Sequence, residues 1–153
     1  MKALRSILML VVMAIAVLTV GCSSAPKVQG PLYSAEELAQ IEQATLAVEE
    51  MQDRLLGIPP LVQKQDWDDV SNYIREPLGE MRQRMSRLAR QLKPESLQRD
   101  AQQVARDVFG HLNEIDQATK DRDSAKAFKN YNEAQRDFNA FLELIPQPEG
   151  EST

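Results

Sequence analysis

The chain is 153 residues long and carries 18 Lys and Arg against 23 Asp and Glu, a formal net charge of −5. That acidic balance argues against nucleic acid as a partner and against peripheral attraction to anionic lipid. The length suits one domain, and a single cysteine excludes a disulfide within the chain.

The chain starts with Lys2 and Arg5, followed by an uncharged, mostly aliphatic run of fourteen residues, Ile7 to Val20, broken only by Thr19. As a helix this run would span about 21 Å, short of the roughly 30 Å of a bilayer's hydrocarbon core. A positive start, a short apolar middle and a small residue before a cut describe a secretory signal. Cys22, directly after Gly21, makes it look like a lipoprotein signal. Residues 1–21 are then removed and Cys22 carries a diacylglycerol on its sulfur. Thr19 stands where such signals prefer leucine, and the alternative is an ordinary signal with an unmodified cysteine. Two or three acyl chains hold a protein on a membrane far better than one. Without Lys2 and Arg5 the mature chain has 16 basic residues against 23 acidic ones, a net charge near −7. Residues 22–33 carry Ser, Gly and Pro without helical periodicity and read as a flexible, lipidated tether.

Helix one is expected from Ser34, because Ser34-Ala-Glu-Glu37 is a capping box flanked by Tyr33 and Leu38 at staple positions. Leu38, Ile41, Thr45, Val48 and Leu55 form its apolar stripe, and Gly57 with Pro59-Pro60 is expected to stop it. Helix two is expected from the N-cap Asp66. Its stripe of Trp67, Val70, Ile74, Leu78, Met81, Met85, Leu88 and Leu92 keeps one phase across Pro77, which favours a kink over a break. Pro94 opens helix three, with Leu97, Ala101, Val104, Val108, Leu112, Ile115 and Ala118 inward. A polar turn over residues 121–124 leads to helix four, with Phe128, Tyr131, Ala134, Phe138, Phe141, Leu142 and Ile145 inward. Pro146 closes it, and residues 147–153 read as a disordered tail. Four amphipathic helices with short turns over residues 34–146 predict an all-α, up-down-up-down four-helix bundle.

Candidate chemistry is sparse. No glycine-rich loop could hold a phosphate, and no serine or threonine has an evident base. His111 is the only imidazole, so a haem would need a methionine as second ligand, yet Met51, Met81 and Met85 read as core filling. Asp107, His111 and Glu114 lie on one side of helix three and are acceptable donors for a surface Zn²⁺. The alternative is a partly buried histidine beside a carboxylate. Trp67 and Tyr73 are either core or binding aromatics, with Trp67 in phase with the stripe. Arg75, Arg82, Arg84, Arg87 and Arg90 crowd helix two of an acidic chain. Guanidinium groups bind carboxylates in a fork and are favoured at docking surfaces, so Arg75, Arg82, Arg87 and Arg90 are candidates for a partner-docking face. The competing reading is a solvated face balanced by acids on neighbouring helices.

The blocks YIxxPLGxxR at Tyr73 to Arg82 and VFGHLxxxD at Val108 to Asp116 resemble the cyanobacterial PsbQ-like lipoproteins. The likeness covers about Asp66 to Gln147, and the lipoprotein signal agrees with it. The resemblance implies a four-helix bundle without catalysis or cofactor of its own. It also implies an extrinsic subunit of photosystem II on the lumenal side, lipid-anchored to the thylakoid membrane. There such proteins dock beside PsbO and an inner chlorophyll-binding antenna subunit and help keep the oxygen-evolving assembly intact. The alternative is an envelope lipoprotein of similar shape that binds a periplasmic partner as a chaperone or inhibitor.

Overall fold

A computed structural model describes residues 31–146 of the chain. The signal segment, Cys22, most of the tether and the tail 147–153 lie outside the described residues. Five helices follow in order: α1 Ala35–Leu55, α2 Ile58–Lys64, α3 Trp67–Ala89, α4 Glu95–Asp121 and α5 Ser124–Glu143. The described residues form no strand, and no described helix is long and apolar enough to cross a membrane.

The start of α1 is the capping box that the sequence spells out. Glu37 N–H donates to Ser34 Oγ at 3.2 Å, and Ser34 N–H donates to the Glu37 carboxylate at 2.9 Å. Ile41, Val48, Met51 and Leu55 are its buried residues, whereas Leu38 and Thr45 are only partly covered.

Beyond Leu55 the structure departs from expectation. The Pro59-Pro60 pair does not only stop a helix; it opens α2. The first turn of any helix has amide N–H groups with no intrahelical partner, so prolines there forfeit nothing and bring a preset φ. Ile58 and Val62, four apart, bury the inner face. The short helix closes with Gln65 in the left-handed region at φ 58°, while Asp66 N–H reaches back to the Leu61 carbonyl at 3.1 Å.

In α3 the backbone stays helical through Pro77 from Trp67 to Ala89, so there is no break. Asp66 occupies the N-cap position, but its side chain makes no capping hydrogen bond. Val70, Ile74, Met81, Met85, Leu88 and Leu92 are buried as their spacing predicts, and Trp67 packs half-buried at the edge of the core. Tyr73 stays exposed and lies against Gly57, where an added Cβ would overlap its hydroxyl.

Helix α4 buries Ala101, Ala105, Val108, Phe109, Leu112, Ile115, Ala118 and Thr119. Leu97 and Val104 sit only at the margin. The polar turn places Arg122 at φ 53°, and Asp123 Oδ1 caps α5 by accepting from Lys126 N–H at 2.9 Å. Ala127, Ala134, Phe138 and Phe141 then face inward.

Helix directions follow from the cross-links. Tyr33 at the head of α1 meets Lys93 beyond the foot of α3, and Ser71 near the head of α3 meets Asp116 near the foot of α4. His111 of α4 meets both Asn130 and Asp137 of α5. Helix α4 packs on α3 and α5, α1 also packs on α3 and α5, and α2 lies against α3 and α5. The four long helices therefore run up, down, up, down around a core of aliphatic, methionine and phenylalanine side chains.

Candidate functional site

The arginines of α3 separate into distinct environments. Arg75 lies 3.1 Å from the Asp116 carboxylate, which also accepts the Ser71 hydroxyl at 2.6 Å and has Lys120 Nζ at 3.7 Å. Partial burial pushes the Asp116 carboxyl up, but the Ser71 and Arg75 hydrogen bonds and the charges of Arg75 and Lys120 outweigh it. The net result is a carboxyl held below the ordinary aspartate range. Arg75 is thus a strut between α3 and α4. Arg84 is likewise occupied, by Glu80 of its own helix at 3.0 Å. Helical spacing of four explains that pair.

Arg82, Arg87 and Arg90 make no ion pair among the described residues. The Arg82 guanidinium stands over the Phe109 ring, 4.9 Å from its centroid, so α4 fixes its plane, and its N–H fork makes no hydrogen bond among the described residues. Arg90 is exposed, and its carbonyl accepts Gln98 Nε2 of α4 at 2.7 Å. Arg82 and Arg90 line one groove of about 600 Å³ together with Gly79, Glu80, Gln83 and Ser86. Of the four candidate docking residues the structure brings together Arg82 and Arg90. Arg75 is spent on the fold, and Arg87 is exposed outside the groove lining.

Asp107, His111 and Glu114 do not converge as a donor set. Asp107 accepts from Gln103 Nε2 at 2.9 Å, and Glu114 lies 3.0 Å from Lys126 Nζ. His111 turns to α5, with Nδ1 3.1 Å from Asn130 Oδ1 and Nε2 3.3 Å from Asp137 Oδ2. Among the described residues no group of three or more His, Cys, Asp or Glu side chains is placed to hold a metal ion. The histidine's carboxylate neighbour is real but comes from the next helix, a pairing that spacing within α4 gives no means of finding.

A second cluster was invisible in the sequence. The Tyr33 hydroxyl donates to the Lys93 carbonyl at 2.9 Å and accepts from the Lys93 N–H at 2.5 Å. Lys93 Nζ reaches Glu37 at 2.6 Å and lies 5.5 Å from the Tyr33 ring centroid. The Lys93 hydrogen bond, with that from the Ser34 amide, holds the Glu37 carboxyl below its usual range. This clasp fixes where the chain enters the bundle.

The described residues define the class of fold, an all-α bundle of four long helices and one short one, with Arg82 and Arg90 beside one surface groove. The family model described as "PsbQ: Oxygen evolving enhancer protein 3" matches residues 3–146, and the chain belongs to the PsbQ family, a class of photosystem II subunits. At closer range it is similar to CyanoQ of Synechocystis sp. (strain ATCC 27184 / PCC 6803 / Kazusa). The two are 41% identical over 152 residues, which cover 96% of this chain and 99% of that one.

Proposed function

We propose that the protein is a non-catalytic extrinsic subunit that docks on the lumenal face of photosystem II and stabilises the oxygen-evolving complex. It sits beside PsbO and an inner chlorophyll-binding antenna subunit, held at the thylakoid membrane by the diacylglycerol on Cys22. It uses no cofactor of its own. The observation that carries this reading is the family match across residues 3–146, together with near full-length similarity to CyanoQ. Physical chemistry agrees with it. A packed bundle presents its surface preformed, so little ordering entropy opposes docking. A lipid tether raises the local concentration near a membrane complex, so individual contacts can be weak.

The test is functional. Photosystem II isolated from cells with and without this protein should differ in how long oxygen evolution persists under dilution and salt, with the deficient complex decaying faster. Re-adding the purified lipidated protein should restore persistence. Equal decay in both preparations, with tagged protein absent from the complex, would end the proposal.

A further inference from the structure

The chain is acidic, yet three arginines within nine residues, Arg82 and Arg87 of α3 and Arg90 at its C-cap, lack an ion-pair partner among the described residues. The other arginines of α3, Arg75 and Arg84, both have one. Arg87 and Arg90 lie at the C-terminal end of α3, where the helix dipole favours a cation, so their position has a local explanation. Arg82 sits a full turn further in, beyond the reach of that dipole. It is held over Phe109, with no hydrogen bond from its fork among the described residues, beside a groove that it shares with Arg90.

We infer that the α3 groove between Gly79 and Arg90 receives an acidic segment of a protein partner, whose carboxylates pair with Arg82 and Arg90. This rests on the docking function proposed above and names the surface and the chemistry that it recognises. Eight residues separate the two arginines, roughly 12 Å along a helix. The partner therefore presents two carboxylates about that far apart, as residues four apart do in an extended strand. Gln83 and Ser86 supply neutral hydrogen-bonding groups between the two charges. Gly79 leaves one end of the groove open, since a Cβ there would meet nothing within 4 Å. A discrete carboxylate pair fits this site better than a lipid surface does. Glu80 lines the same groove, and both it and the chain's net negative charge oppose a continuous anionic plane.

The experiment measures binding of the lipidated full-length protein to photosystem II stripped of it, across a salt series. Arg82→Gln with Arg90→Gln should weaken binding at least tenfold at low salt and flatten the salt dependence. Arg90→Glu, at an exposed position without an ion pair among the described residues, should weaken it further still. Arg99→Gln, which removes an exposed pair with Glu95 on α4, should bind as the wild type does. Thermal melts confirm that each variant is folded, and Arg90→Glu alone decides the matter if the double variant is not. Wild-type binding with unchanged affinity and salt slope in Arg90→Glu would overturn the groove while leaving the docking function standing. No binding by the wild type would overturn both. Arginine-dependent capture by phosphatidylglycerol vesicles would replace the protein partner by a lipid one and overturn the inference.

Discussion

Arg122 and Gln65 occupy the left-handed region at φ 53° and 58°, where a side chain costs about 1 kcal/mol relative to glycine. Both end helices with a backward-reaching hydrogen bond, and nothing in their residue type advertises that geometry. Arg122→Gly should therefore raise stability by about 1 kcal/mol, measured as a higher urea midpoint at unchanged slope. Asp116 gives a pH-dependent prediction. Its folded-state carboxyl is depressed, so its stabilising contribution is complete above the ordinary aspartate value of 3.8 and is lost as pH falls through the lower folded value. The stability gap between the wild type and Asp116→Asn should be largest above pH 5 and shrink steadily into stronger acid. A gap independent of pH would mean that the Ser71 and Arg75 contacts do not favour the ionised form.

The helices themselves were largely legible, because periodicity and caps act within a few residues. The capping box at Ser34 and the stripe residues Val70, Ile74, Met81, Met85, Leu88 and Leu92 appear as read. Helix α2 was missed because a Pro-Pro pair was weighed only as a terminator, although proline is equally suited to a first turn. The Tyr33–Lys93 clasp was beyond reach, since it joins residues 60 apart. Its energetic role can be read directly. Tyr33→Phe leaves the Lys93 carbonyl and N–H without that partner, and should cost about 1 kcal/mol. Amide exchange in the first turns of α1 should quicken more than in α4 or α5. Uniform change across all helices would show that the clasp is not a local fastening. Deep in the core, Phe138→Ala should cost about 3–5 kcal/mol, since Phe138 is fully buried against neighbours that can collapse only partly.

At the scale of the whole molecule the bundle was legible, and the surroundings of the candidate docking arginines were not. Composition and spacing marked α3 as rich in arginine but gave no means of telling which of them the fold consumes. That division depends on Asp116 and Phe109, side chains of α4 that reach across to α3. The surroundings of the candidate metal residues were hidden for the same reason, since Lys126, Asn130 and Asp137 of α5 engage Glu114 and His111. The proposed anchor has its own readout. Cys22→Ser should abolish incorporation of labelled palmitate and shift the protein from the membrane fraction to the soluble one. The most direct test of the central claim is gentle isolation of complexes through a tag on this protein, with its partners identified by mass spectrometry. The account predicts photosystem II core subunits, PsbO and an inner antenna subunit in near-stoichiometric yield. Recovery of envelope proteins in their place, with photosystem II at background, would contradict it.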